Sequence, residues 1–266
     1  PSTGRRVMAG RFMTMKSPED FEKMKVAGSV VAAMHAAVRA AAVPGATTLE
    51  LDAIAHEVVR KADCRPSFLG YHGFPASICT SPNEVIVHGI PDGYKLREGD
   101  IIAVDAGAIY DGWHGDAAFT MAIGDVPTEV KQLIEVTEQG LWAGIAAARP
   151  GNRLGDVGAA ISAVAAPYGY GVVREYIGHG IGRQMHEAPD VPNYGKSGRG
   201  LKLKAGMAIA IEPMFNLGTA ETSVLEDGWT VVTQDGELSA HWEHTVLITE
   251  EGPVVSTLPE PKLVTS

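Results

Sequence analysis

An α+β fold, a pseudo-two-fold repeat of helices packed on a mainly antiparallel sheet, is predicted by three features of this chain. The stretch Ile101–Ile123 reads IIAVDAGAIYDGWHGDAAFTMAI, two apolar strands joined at Asp111-Gly112, the dipeptide that most strongly marks a two-residue hairpin. Helix-length segments with capping signals precede this hairpin and recur after it. The letters repeat as well: AAAVPG at 40–45 returns as AAARPG at 146–151, and REGDIIAVDAG at 97–107 aligns with KAGMAIAIEPM at 204–214, offsets of 106 and 107. Chance similarity of alanine-rich stretches explains the first match but not both at nearly one offset. Two halves, about 17–125 and 126–253, are therefore expected to share one core as a single domain, with a basic extension at 1–16 and a C-terminal tail at 254–266.

In chain order, Ser17, Pro18, Glu19 and Asp20 supply a cap, a proline at the first helical position and acids near the positive end of the helix dipole, so a helix runs to about Ala42. Pro44-Gly45 stops it. Thr47-x-x-Glu50 is a capping box for a second helix to about Ala62. A Gly- and Pro-rich passage, GYHGFPASICTSPNEVIVHGIP, leads into the hairpin. Pro127-Thr128 opens a long helix to Ala148, closed by Pro150-Gly151, and a further helix spans about Asp156 to Ala166 before strands resume.

With 266 residues, 45% hydrophobic, 20% charged and a mean hydropathy of +0.03, the chain can bury a large core and is neither disordered nor fibrous. Its 22 basic against 32 acidic residues give −10, which argues against a protein that coats DNA or RNA. The exception is the first 18 residues, where Arg5, Arg6, Arg11 and Lys16 occur without an acid. That segment could touch RNA or an acidic partner, or be a solvated extension, and it holds no candidate ligand. It has no secretory pattern, and no run of about 18 uncharged apolar residues is present, so a cytoplasmic protein without a membrane span is expected. Cys64 and Cys79 form no disulfide framework and no C-x-x-C pair, so any metal must rely on oxygen and nitrogen ligands.

With Asp111 and Gly112 as the loop, Tyr110 faces Trp113 and Asp116 faces Gly107, while Asp105 lies two residues further along on the same face. Diagonal neighbours on one face are roughly 7–8 Å apart, so the two carboxylates can converge on a shared cation. The other residues on Asp105's face are Ile101, Ala103, Gly107 and Ile109, apolar company in which a carboxylate needs a partner. The internal alignment sets Glu212 at the place equivalent to Asp105. His179 stands between glycines in GHGIG, and Glu243 lies in HWEHTVLIT. Singly, each is an ordinary core histidine or surface acid. Together, Asp, Asp, His, Glu and Glu suit two divalent ions about 3.5–4 Å apart.

The motifs GYHGFPASIC, SPNEVIVHGIP, VDAGAIYDGWHGD, GHGIGRQMHE, IEPMF and HWEHT, in this order and spacing from about Lys16 to Gly252, resemble the type I methionine aminopeptidases. The resemblance implies a pita-bread fold with a curved sheet, and removal of the first methionine from nascent polypeptides whose second residue is small. It implies that Asp105 chelates one metal, that His179 and Glu212 bind the other, and that Asp116 and Glu243 bridge both, the ions being Fe, Mn, Co or Zn. It further implies that His88 and His186 contact substrate, that Glu212 assists proton transfer, and that Tyr71, Phe74, Cys79 and Trp229 line a methionine pocket. The chain departs from the pattern at Phe68, where many bacterial relatives have cysteine, and at Met185, where an aromatic residue is common; both bear on the pocket's shape. The absence of a large insertion between Glu212 and Glu243 favours type I over type II. A monomer, with ribosome association through the extension, is the implied context. The alternatives are an Xaa-Pro aminopeptidase or dipeptidase of the same fold, and a non-catalytic, ribosome-associated homologue.

Overall fold

The structure is a computed structural model, and it describes residues 12–265; Arg5, Arg6 and Arg11 of the basic extension lie outside the described residues. Helix α1 (Pro18–Ala41) and helix α2 (Thr48–Lys61) each start at a complete capping box, Ser17 with Asp20 and Thr47 with Glu50. Helix α3 (Thr128–Ala147) follows Pro127. Helix α4 (Leu154–Ala165) begins two residues before the expected Asp156, because the Asp156 carboxylate sits in the first turn and accepts from the Arg153 N–H at 2.7 Å.

The central strand of the first half is Ile101–Tyr110, and it pairs along its whole length with Trp113–Ala122 in the predicted register, Tyr110 opposite Trp113 and Gly107 opposite Asp116. Ile78–Pro82 and the short Arg65–Pro66 pair with the same central strand. Alternation then sorts the side chains. Ile102, Val104 and Ala106 point to α1 and α2 and pack with Val31, Met34, Val38, Leu51 and Val59. The opposite face, with Asp105, turns inward.

In the second half an antiparallel sheet of six strands runs in the order Lys262–Leu263, Gly252–Val255, His244–Thr249, Ala208–Ile211, Gly178–Gly180, Glu187–Val191. It packs Ile209, Ile211, Val246 and Ile248 against α3 and α4. The segment from 254 onward, expected as a tail, is part of this sheet: Val254 and Val255 pair with Leu247 and Val246, and the Thr257 hydroxyl contacts His244 Nδ1 at 2.8 Å. Its apolar and hydroxyl-bearing residues complete the edge of the sheet.

The two-fold plan reaches the backbone. After α1, Gly45 (φ +93°) donates to Leu96 O at 2.8 Å; after α3, Gly151 (φ +94°) donates to Leu203 O at 2.9 Å. Both glycines occupy the left-handed region that lets a helix end and reverse without a Cβ clash. One isolated bridge closes the halves together: Glu243 N–H donates to Ala118 O at 2.9 Å and Ala118 N–H to Glu243 O at 3.2 Å.

The domain begins before residue 17, where the sequence places its boundary. Lys16 N–H donates to Gly206 O at 2.7 Å and its ammonium is buried against Glu187 Oε2 at 2.8 Å, so Lys16 belongs to the domain and is withdrawn from any basic contact surface.

Candidate metal centre and substrate cleft

Strand register assembles the centre. Cys79 lies opposite Asp105, Asp105 opposite Ala118, and Ala118 opposite Glu243, a lateral row across four segments. Asp116, two residues from Ala118, shares the face. In the second half His179 is opposite Ala210, two residues before Glu212, and continuing the pairing of His244 with Ile211 sets Glu243 beside Glu212. The glycines around His179 serve this packing. A Cβ at Gly178 would strike Ala210 O and one at Gly180 would strike Ala188 O, so the backbone they admit is that of neighbouring strands.

His179 Nε2 lies 3.8 Å from Asp116 Oδ2, 3.5 Å from Glu212 Oε1 and 4.0 Å from Glu243 Oε1. Its other nitrogen, Nδ1, is 2.9 Å from Gly180 O. A carbonyl only accepts, so Nδ1 carries the proton and Nε2 aims a lone pair at three carboxylates, an arrangement that calls for a cation between them. The acids say the same. Burial first, and then neighbouring carboxylates, push Asp105, Glu212 and Glu243 well above the usual range, and burial lifts Asp116 to about 7. Asp105 Oδ1, Asp116 Oδ1 and Glu243 Oε1 are buried without a hydrogen-bond partner. Orphaned buried oxygens facing a histidine lone pair fit a divalent metal ion.

One residue at the centre was not singled out from sequence. His241 is buried; its Nε2 lies 3.4 Å from Glu212 Oε2 and makes no hydrogen bond, and the residue groups with Glu212 and Glu243 as potential ligands. Glu212 thus stands between two imidazoles, His179 on one oxygen and His241 on the other. The histidine was legible in HWEHT, but its side of the strand was not, because the strand breaks at Trp242-Glu243.

All thirteen residues singled out from the sequence line one cleft of about 1290 Å³. Beside the carboxylates, Phe68, Phe74, Cys79 and Met185 form an apolar cluster with Tyr71 and Trp229 against it. Phe74 and Trp229 meet edge to face at 5.1 Å, and Phe68 and Phe74 at 6.5 Å. Tyr71 Oη is 2.7 Å from His186 Nδ1, and the His186 ring lies 4.2 Å from that of His179. His88 sits at φ +61°, a conformation costly for a non-glycine residue, against Tyr176. Burial lowers its pKa to about 4, so it is neutral at pH 7. Arg174, Glu175, Asp190, Thr222 and Val224 are among the other lining residues and were not anticipated, because nothing in their local sequence distinguishes them from other surface residues.

A mainly antiparallel, two-fold sheet with buried carboxylates and a histidine at its seam is the architecture of a hydrolytic metalloenzyme. The chain belongs to metallopeptidase family M24, which it matches over residues 22–250. It is 51% identical to methionine aminopeptidase 1 of Mycobacterium tuberculosis, over 95% of this chain and 98% of that protein. It superimposes on a crystal structure of methionine aminopeptidase from Thermotoga maritima with a TM-score of 0.91 at 44% identity, covering 93% of this chain and all of that one. Prolidase from Pyrococcus furiosus shares the pita-bread fold, with a TM-score of 0.71 at 22% identity over 91% of this chain and 65% of that one.

Proposed function

We propose that this metallopeptidase removes the N-terminal methionine from polypeptides whose second residue is small. The observation that carries the reading is the pairing of Cys79 with Asp105. It sets the apolar pocket one strand step, about 5 Å, from the acids, so a substrate amine held at Asp105 leaves room for a single side chain between amine and pocket wall. An exopeptidase that removes one residue follows. The pocket offers aromatic faces and a thiol, surfaces on which a polarizable thioether packs well.

Asp105, Asp116, His179, Glu212 and Glu243 would hold two divalent ions; iron, manganese, cobalt or zinc would suit this O and N donor set. Bound there, such ions polarise a peptide carbonyl and lower the pKa of water. The chain's own groups supply the rest. With the Tyr71 O–H as donor to His186 Nδ1, the imidazole would keep its proton on Nε2 for the carbonyl oxygen as it gains charge. Neutral His88 offers an N–H to the scissile peptide. Glu212, at the cleft side of the cluster, takes the proton lost by the attacking water and passes it to the departing amine.

An enzyme acting on nascent chains would work in the cytoplasm, here as a monomer, and Arg5, Arg6 and Arg11 would suit a contact with ribosomal RNA. The test uses short peptides with metal supplied and then chelated. Met-Gly, Met-Ala and Met-Ser peptides are expected to be cleaved, Met-Leu and Met-Lys peptides hardly, and N-acetylated Met-Ala not at all, because acetylation removes the amine that sets the register. Efficient cleavage of the acetylated peptide, or of Xaa-Pro peptides lacking methionine, would overturn the reading.

A further inference from the structure

We propose that Thr14 and Lys16, in the segment leading into α1, are positioning residues for the turn that presents Met185 and His186 to the cleft. The proposal rests on the reading that these two side chains face the substrate. One carboxylate, Glu187, joins the two segments. Its Oε2 accepts from the Thr14 hydroxyl at 2.6 Å and from Lys16 Nζ at 2.8 Å, and its Oε1 accepts from Gln184 N–H at 3.2 Å. Lys16 Nζ also donates to Thr14 O at 3.1 Å, which ties the two anchors to each other.

The turn is held from further sides. Gly182 N–H donates to Gln184 O at 3.0 Å, His114 N–H of the first-half hairpin donates to Gly182 O at 2.9 Å, and the Arg183 guanidinium lies 4.7 Å from the Trp113 ring. A Cβ at Gly182 would come within 2.6 Å of Glu187 Oε1 and 2.7 Å of Lys16 Cε, so the three residues fit without slack. His186 immediately precedes the anchored Glu187, and Met185 is buried in the pocket cluster. Clamping one end of so short a turn fixes the direction of both side chains.

Stability alone does not account for the clamp. Burial of the carboxylate works against its charge, and the Lys16 and Thr14 donors outweigh it, holding Glu187 below its usual range. Replacing such a buried pair by apolar side chains is often neutral or stabilising, whereas the directional bonds of this pair hold the turn to the segment before α1. A displacement of His186 of about 1 Å is enough to cost up to 100-fold in turnover, although the clamp touches no reacting atom.

Four full-length variants test this. Thr14→Val removes one donor at an exposed position and should leave the thermal midpoint near that of the wild type, while kcat on a Met-Ala peptide falls about tenfold and KM changes less. Thr14→Ser restores the hydroxyl and should restore kcat. Lys16→Met paired with Glu187→Leu replaces the ion pair by apolar side chains and should fold with a larger loss of kcat; Lys16→Met alone should also be destabilised. NMR resonances of the Gln184 amide and the His186 ring should shift in the first and third of these proteins and not in Thr14→Ser. Wild-type kcat with unshifted His186 resonances in Thr14→Val and in the double variant sinks the proposal, as does an activity loss that only tracks the folded fraction. A wild-type enzyme without peptidase activity would instead overturn the functional reading, and the His186 resonances would still decide the positioning.

Discussion

Glu212 shows how much depends on single atoms. His179 faces one of its oxygens at 3.5 Å and His241 the other at 3.4 Å, so its orientation is set from both sides. Asp105→Asn, Asp116→Asn and Glu243→Ala should each abolish peptide cleavage in a folded protein, because each removes a charge that the cation site needs. Assays with excess metal check this, and wild-type turnover in any of the three defeats the assignment. His241→Leu should lower metal affinity, about 10- to 100-fold as for other residues that orient a ligand, whereas His88→Ala and His186→Ala should keep metal stoichiometry and lose kcat. Metal analysis of the purified variants separates the two groups. His35 provides a test away from the cleft. Burial, with smaller contributions from Arg39 and His244, depresses its pKa to about 3. The unfolded chain takes up that proton below about 6.5 and the folded one does not, so this residue's contribution is complete above pH 6.5 and declines as pH falls, by about 2 kcal/mol at pH 5. Urea unfolding at pH 7.5 and pH 5 should show a smaller stability loss in His35→Leu than in the wild type; equal losses would mean that His35 does not carry the effect.

At the level of elements, strands packed backbone to backbone impose the sharpest constraints. Gly178→Ala would drive a Cβ into Ala210 O and separate the strand of His179 from that of Glu212. Overpacking of this kind costs about 1–3 kcal/mol, and here it should also remove metal binding, which a titration followed by calorimetry detects. The last strands matter in the same way. Gly28 of α1 packs directly on Ser256 O, and Thr257 contacts both His244 Nδ1 and Thr245 N–H. Ending the chain after residue 253 is therefore expected to give an unfolded or aggregated protein. Circular dichroism of a soluble, cooperatively folding truncation would show that this segment is dispensable.

For the whole molecule, the acids at the seam couple metal binding to folding, since the two halves bring them together and the unfolded chain does not. Metal at 100 times its dissociation constant should stabilise the protein by about 2.7 kcal/mol. The gain should grow from pH 6 to pH 8, because the carboxyls held above their usual range must lose protons to bind. A thermal midpoint that metal does not raise at either pH would exclude the centre as a cation site. Among the described residues no helix is long and apolar enough to cross a membrane.

Features that depend on local rules were legible in the chain alone. The capping boxes at Ser17 and Thr47, the Asp111-Gly112 turn and its pairing of Gly107 with Asp116, and the offset that makes Glu212 the counterpart of Asp105 could be read from spacing, because turn geometry and strand alternation act over a few residues. The family motifs extended that reading to the cleft, and all thirteen residues named from it line one cavity. The remaining features arise from long-range packing. The bridge from Ala118 to Glu243, the approach of His241 to Glu212, the burial of Lys16 and the pairing of residues 254 and 255 are contacts between segments far apart in the chain, and local propensity carries no information about them. Thr14 is the plainest case: with no candidate ligand between residues 1 and 15, removal of that stretch looks neutral from the sequence. Its hydroxyl nonetheless bonds Glu187, 173 positions away, and so reaches the turn that carries His186.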